Sequence, residues 1–437
     1  MYRSATEQMK GILVRLGRRI SLLVGVGLTA VAVIAFALTA LVHSQAGNDL
    51  PPFDSGSNGS DGALILETPG TILFDPRNFN HPLDQDGDGV YHFTEIRIGA
   101  GVTVKLSSVP LGTKPVVWLA QGAVQIDGTV DLDGENGHDQ TTISRPSISG
   151  AGGYGGAAGG GVSGGIDLNG DGPGAGRGGR IDQQGSGAGH ASPGRQGAGG
   201  LPGGSPYGNN FLSPLLGGSG GGAGGNAGGG AGGGAILITS SVRITVDGTV
   251  TASGGNGGVK PTCCRSGGGG SGGAIRIMAP IINGTGFLNV GYGSGDSPIR
   301  LGDGSLGRMR LEAFRHEFTG RTNPTPTRST PGPVFPLLPQ PTVRVLSVAG
   351  ANVPSNPAGD LLRPDLTIDS QSNAEIQIQS QNIPAGTKVQ LNIFSENGTG
   401  QVVESTPLDM HMNGRATASV TLPPGISRFH VQATWTP

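Results

Sequence analysis

The sequence predicts an all-β chain in which a solenoid of stacked short strands carries a glycine-rich insert, with a β-sandwich after it and one hydrophobic helix before it. Three observations carry this. Alternating apolar runs recur in the same internal order at an offset of 120 residues. Glycine supplies 85 of 437 residues, in doublets, triplets and quadruplets. After residue 341 alternating runs return between Pro- and Gly-containing turns. Composition excludes simpler classes. Collagen needs glycine at every third position. Ordinary disorder needs high net charge and few apolar residues, whereas here the net charge is −2 and 35% of residues are hydrophobic. No basic excess marks a nucleic-acid binder.

The leader comes first, residues 1–46. Ile20 to Val42 is a run of 23 uncharged residues behind Arg15, Arg18 and Arg19. A helix of that length spans about 35 Å, enough for a hydrocarbon core of about 30 Å. The flanking positive charge keeps its start in the cytoplasm, so the rest of the chain is exported. Two readings stand: a signal peptide cleaved after Ser44-Gln45-Ala46, or an uncleaved anchor formed by residues 20–42. The exported part is secreted or at the cell surface, or membrane-anchored through that helix. The only cysteines, Cys263 and Cys264, are adjacent and cannot close a loop with each other.

The solenoid is assigned to 47–322. Val116 to Ala120 leads to Val124-Gln125-Ile126-Asp127-Gly128-Thr129-Val130-Asp131-Leu132, and 120 residues later Ile236 to Ile238 leads to Ile244-Thr245-Val246-Asp247-Gly248-Thr249-Val250. A looser copy holds Ala274 to Ile277, then Ile282-Asn283-Gly284-Thr285-Gly286 and Leu288-Asn289-Val290. Period-2 alternation with β-branched residues means strands, and each copy has an Asp-Gly-Thr or Asn-Gly-Thr corner. Such corners also suit hairpins, so an antiparallel meander or sandwich is the alternative. Like corners at like places favour stacked coils, a right-handed parallel β-helix-like solenoid, because one triplet of strands cannot bury its own inner face.

Gly234-Ala235-Ile236-Leu237-Ile238 through Gly257, Ser271 to Ile277, and Gly307 to Phe314 resemble glycine-rich, parallel β-helix-like exported bacterial surface proteins over about residues 90–320. Gly222 to Gly229 also resembles the glycine-rich repeats of mycobacterial surface proteins, although the helical leader domain of that family is absent. The resemblance implies a surface location and little about ligand.

Within the solenoid, the insert 150–234 is too glycine-rich for a conventional core. Either it is flexible, or its chains lie side by side in extended poly-glycine conformation. Seven prolines between Pro324 and Pro341 make 323–341 a stiff linker. Beyond it, 342–437 reads as an immunoglobulin-like β-sandwich without an inter-sheet disulfide, its strands around Val343–Val345, Ala374–Gln379, Lys388–Ile393, Ala416–Leu422 and Phe429–Trp435.

Asp84-Gln85-Asp86-Gly87-Asp88-Gly89 followed by Glu95 fits a D-x-D-x-D-G-x5-E loop, so Asp84, Asp86, Asp88 and Glu95 are the expected ligands of a structural Ca2+. Asp167-Leu168-Asn169-Gly170-Asp171-Gly172 is a partial second copy with Gly178 where the last ligand belongs. Matches to G-x-S-x-G arise from glycine content and lack the strand-to-helix context of a nucleophile elbow. Asp131 and Asp133, at i and i+2, share a strand face, and Glu135 follows. The expected function is that of a non-catalytic exported or cell-surface structural or adhesive protein, its partners a cell-surface polysaccharide or other surface proteins and no nucleic acid. The alternative is a carbohydrate-active β-helix enzyme using Asp131, Asp133 or Glu135.

Overall fold

The computed structural model describes residues 50–85, 89–138, 145–159, 169–179, 183–225, 227–259, 266–295, 299–335, 341–355, 357, 364–369, 373–395 and 401–435. The hydrophobic run 20–42 and both cysteines lie outside them. Among the described residues no helix is long and apolar enough to cross a membrane.

The chain from residue 62 to 329 winds through successive coils of short strands. The first coil holds β1 (Gly62–Leu66) and β2 (Gly70–Leu73), and the second β3 (Val90–Ile98) and β4 (Val102–Lys105). Two coils 120 residues apart follow, β5 (Val116–Ala120), β6 (Val124–Ile126), β7 (Thr129–Asp131), and β8 (Ala235–Ser240), β9 (Ile244–Val246), β10 (Thr249–Thr251). Next come β11 (Ala274–Met278), β12 (Ile281–Gly284), β13 (Phe287–Asn289), then β14 (Arg308–Glu312), β15 (Arg315–Phe318), β16 (Arg321–Asn323), and lastly β17 (Thr327–Ser329). All their pairings are parallel, in one eleven-stranded and one six-stranded sheet. This is β-solenoid-like, and the antiparallel meander is set aside.

The long strand β3 divides the larger sheet. Its first half, Val90–Phe93, pairs with β5, while Ile96–Ile98 pairs with β6. Three ladders result: a (β3, β5, β8, β11, β14, β17), b (β1, β3, β6, β9, β12, β15) and c (β2, β4, β7, β10, β13, β16). The offset of 120 holds in each, with Val117 opposite Leu237, Ile126 opposite Val246 and Val130 opposite Val250. Alternate residues enter one core, including Ile98, Ile126, Val246, Ile282, Val104, Val130, Val250 and Leu288. Each such side chain contributes about 1.5–3 kcal/mol by leaving water. At the first coils, Phe74 packs on Phe79, Tyr91 and Trp118 with ring centroids 5.3, 5.2 and 5.4 Å apart. At the last coil the inward register turns polar: His316 follows Ile282, Thr322 follows Leu288 and Arg328 follows Leu311. Arg328 stands exposed at that position, so the apolar core stops at this coil.

The Asp-Gly corners lie between ladders b and c and stack on one another. A Cβ on Gly248 would meet Gly128 O at 1.9 Å, and one on Gly286 would meet Gly248 O at 2.1 Å. In the third copy the corner is thus Thr285-Gly286. Asn283-Gly284, expected there, falls inside β12 because Asn283 pairs with Thr245. Likewise β17 lies within the segment expected to be linker and pairs with β14.

The described glycine segments pack as chains lying side by side, the second of the two expectations. Residues 228–235 donate backbone hydrogen bonds in strict rotation. Gly228, Ala231 and Gly234 donate to His138, Glu135 and Leu132; Gly229, Gly232 and Ala235 donate to Ala157, Tyr154 and Ala151; Gly230 and Gly233 donate to Gly268 and Ser271. Residues 267–273 rotate in the same way, onto 252–258, 219–222 and 302–305. Bonding direction that returns every third residue is the geometry of an extended threefold helix. Isolated, such a helix leaves its amides to solvent; bundled, the amides satisfy one another. A Cβ at Gly229, Gly230 or Gly232 would sit 1.9–2.0 Å from a neighbouring carbonyl oxygen, so side chains are excluded by contact rather than by backbone angle.

The C-terminal part has two antiparallel sheets. One orders β19 (Ala351–Asn352), β18 (Thr342–Val348), β20 (Asn373–Gln381) and β23 (Gly414–Thr421); the other orders β22 (Gln401–Pro407), β21 (Lys388–Ser395) and β24 (Ser427–Ala433). Ile376 and Ile378 of one sheet and Leu391 and Ile393 of the other share a core. β24 meets the glycine bundle where Arg428 Nη1 donates to Asp171 Oδ2 at 2.7 Å and His430 lies edge-on to Tyr154.

Candidate functional site

Ladder c turns two rows of side chains outward. One reads Thr71, Thr103, Thr129, Thr249, Phe287, Arg321, and the other Leu73, Lys105, Asp131, Thr251, Asn289, Asn323. Parallel strands hold such rows about 4.8 Å apart. Both arise from the alternation in each three-residue strand, which sends Val130, Val250 and Leu288 inward and their neighbours out.

From Lys105 onward the second row is part of a polar hydrogen-bonded chain. Lys105 Nζ donates to both carboxylate oxygens of Asp131 at 3.0 Å and to Asp133 O at 3.1 Å. Asp133 Oδ1 accepts from Thr251 Oγ1 at 2.6 Å and from the Ser253 backbone N–H at 2.5 Å, tying its own coil to the next. Asn289 Nδ2 donates to Ser253 Oγ at 2.7 Å, and Asn323 Nδ2 to Asn289 Oδ1 at 2.9 Å. Beside it, Asn136 Oδ1 accepts the Asn256 N–H and Asn256 Oδ1 accepts the Ser294 N–H, both at 2.8 Å.

Burial pushes the Asp133 carboxyl above the usual carboxylate range, and the Thr251 and Ser253 hydrogen bonds hold the rise in check while the neighbouring Asp131 adds to it. Glu135 ends in the opposite direction. Its partial burial raises it, but the Arg145 fork at 2.7 and 2.9 Å and the Ile148 N–H at 2.9 Å bring it below the ordinary value. Thus Asp131 and Asp133 do come together, while Glu135 belongs to the first bundle segment. Sequence reading named Thr251 and Ser253 only as the counterparts of Asp131 and Asp133 and missed Lys105, Arg145, Asn289 and Asn323. The same row continued one and two coils further, to Asn289 and Asn323, was the available signal.

Of the expected Ca2+ ligands, Asp86 and Asp88 lie outside the described residues. Asp84 Oδ2 accepts the Gly89 N–H at 3.1 Å, a bond between the first and sixth positions of the loop. The Asp84 N–H is held by Asp61 Oδ1 at 2.9 Å, and Asp61 Oδ2 accepts the His92 N–H at 2.6 Å. Glu95 is exposed on β3. Among the described residues no three His, Cys, Asp or Glu side chains converge on a metal position. In the partial second copy Asp171 pairs with Arg428, and Asn169 Oδ1 accepts the Gly178 N–H at 3.0 Å.

Fold and surface together define a β-solenoid-like scaffold with polar rows on one ladder, a glycine-chain bundle and a small antiparallel β domain. No known family model, curated protein or solved structure matches the chain.

Proposed function

We propose that this chain is a non-catalytic, exported or cell-surface structural or adhesive protein, its solenoid a right-handed β-helix and its C-terminal part an immunoglobulin-like sandwich. The observation that carries the reading is the use made of the three carboxylates: Lys105 neutralises Asp131, Thr251 and Ser253 occupy Asp133, and Arg145 clamps Glu135. Each bond joins one coil or bundle chain to another, which is structural work. The rows of ladder c then present regularly spaced donors and acceptors to an extended polyhydroxylated chain, so a cell-surface polysaccharide is the favoured partner class and other surface proteins the next. Residues 20–42 export the chain and anchor it if the leader is not cleaved after Ala46. Ca2+ held by Asp84, Asp86, Asp88 and Glu95 would brace the entry to β3.

A polysaccharide panel tests the reading. Retention without turnover, weakened in Asn289→Ala with Asn323→Ala, supports it. Release of reducing or unsaturated ends, lost in Asp131→Ala with Asp133→Ala, overturns it in favour of a carbohydrate-active enzyme. The raised Asp133 carboxyl beside Asp131 would be the acid of that second reading. For the cation, titration calorimetry should show binding heat that disappears in Asp84→Ala with Glu95→Ala; no heat at millimolar Ca2+ removes the ion.

A further inference from the structure

Two of the methionines among the described residues sit in the interior: Met278 is fully buried and Met309 is 4% exposed, both on coils of the solenoid. The other two, Met410 and Met412, are 50% and 61% exposed, with the exposed His411 between them. Methionine is among the residues most often buried whole, so a pair in water at one spot needs a reason.

The turn that carries them does not supply one. Residues 408–413 take the chain from β22 in one sheet to β23 in the other, and the side chains of 410–412 have no part in shaping the path. Leu408 is buried in the core, its N–H donating to Thr387 O at 2.9 Å and its O accepting the Gly386 N–H at 2.8 Å. The Asp409 N–H donates to Arg415 O at 3.1 Å, and Asp409 Oδ1 accepts the Arg415 N–H at 2.6 Å. Asn413 takes the left-handed conformation, φ +56°, and its Oδ1 accepts from Gln381 Nε2. Gly414 lies so close beneath the turn that a Cβ there would stand 2.4 Å from Met410 O. The tip is thus pinned on both sides. Its three side chains make no hydrogen bond, ion pair or ring contact among the described residues.

Three soft donors are presented together without a competing partner. Two residues of chain span at most about 7 Å, a gap that two unbranched side chains with three rotatable bonds each can close onto one point. The imidazole of His411 lies between them in the chain. Hard cations take oxygen ligands, and Zn2+ wants four ligands drawn from thiolate, imidazole and carboxylate. Two thioethers and one imidazole suit Cu(I).

We propose that Met410, His411 and Met412 form a three-ligand site for one Cu(I) ion at the turn between β22 and β23. The site is independent of whether the rows of ladder c bind a polysaccharide and of the Asp84 loop, whose ligands are oxygens.

Ag(I), a redox-stable ion of similar softness, is the probe. The full chain, in mild detergent and chloride-free buffer, would carry Cys263→Ser and Cys264→Ser, because thiolates there would compete for the ion. Calorimetry should show one Ag(I) bound per chain. With isotope-labelled methionine methyl groups, the Met410 and Met412 signals should shift while those of Met278 and Met309 stay in place. Met410→Leu, Met412→Leu and His411→Gln should melt like the parent, since the tip holds nothing together. Each should weaken binding by about tenfold or more, because even the loss of a ligand's supporting partner costs about 10–100-fold. Cu(I) under anaerobic conditions, in competition with a chromophoric chelator, should rank the variants in the same order. Unchanged Ag(I) affinity in Met410→Leu with Met412→Leu overturns the proposal. Zn2+ binding of equal strength, lost only in His411→Gln, would show an ordinary surface imidazole and overturns it as well. A parent chain that takes up no Ag(I), or whose Met410 and Met412 methyl signals stay still, does the same.

Discussion

Replacing Gly270 by alanine tests the glycine bundle most directly. Its amide donates to Gly255 O at 2.9 Å and its carbonyl accepts from the Gly293 N–H at 2.9 Å, so it is bonded to two different neighbouring segments. The added Cβ would stand 2.0 Å from Ala231 O and 2.5 Å from Ala231 C, both rigid backbone atoms. Ordinary contact needs about 3.5 Å, so the chains must part by about 1.5 Å. That displacement breaks two to three interchain hydrogen bonds at about 0.5–1.5 kcal/mol each. The entropic advantage of alanine in the unfolded chain returns about 0.4–1 kcal/mol. These terms net to a loss of about 0–4 kcal/mol, and forcing an extra carbon into a close-packed site adds about 1–3 kcal/mol of strain, so a clear loss of at least about 1 kcal/mol is expected. Gly332→Ala is the control, because its Cβ would find only Glu312 Oε2 at 3.5 Å. Thermal and denaturant unfolding of both variants, followed by circular dichroism, should separate them clearly. Equal stability of Gly270→Ala, Gly332→Ala and the parent would refute the packing argument.

Two further outcomes are expected. Burial lowers the His190 imidazole from 6.5 to about 4, with its Nδ1 bonded to Gly272 O at 2.7 Å and its ring stacked on Tyr207. A base depressed in the folded state stabilises above its unfolded pKa and loses that contribution as pH falls through the folded value. About 3 kcal/mol should therefore vanish between pH 6.5 and 4. His190→Gln should lower stability at neutral pH yet flatten the acid limb, and parallel limbs would refute this. Removing Arg428 strands Asp171 against the bundle, where the two side chains are only 13% and 10% exposed. Arg428→Ala should cost about 2–4 kcal/mol and speed hydrogen exchange in β24, while Asp171→Asn in addition should recover part of the loss; a neutral single variant would show that the pair does not hold the sheet.

The strand coils were legible because their chemistry is local. Val124 to Val130 and Ile244 to Val250 alternate identically, and the Asp-Gly corner is demanded by the stacking of Gly128 under Gly248. Coils with weaker patterns were harder. In β15 and β16 only Phe318 is an apolar inward residue beside His316 and Thr322, so the end of the solenoid looked like a change of composition. The bundle could be expected only as one of two alternatives, since a glycine run has no periodicity to read and its order comes from which segments lie beside it. The candidate surface was half legible. Asp131 and Asp133 stand out in one strand, but Lys105 lies 26 residues from Asp131 and Thr251 lies 118 from Asp133, distances that only the ladder register closes.

The glycine bundle also has a thermal consequence. Folding it withdraws mainly amide groups from water, and relatively little hydrocarbon. Exposing apolar surface raises heat capacity by about 0.45 cal/K/mol per Å2, whereas exposing polar surface lowers it by about 0.26. Unfolding of the bundle should therefore carry a heat-capacity increment below the usual 12–15 cal/mol/K per residue, approximately, and a correspondingly shallow stability curve. The solenoid core loosens as cold weakens hydrophobic burial; the glycine chains, held by their amides, should keep nearly the same cohesion in cold as in warm surroundings.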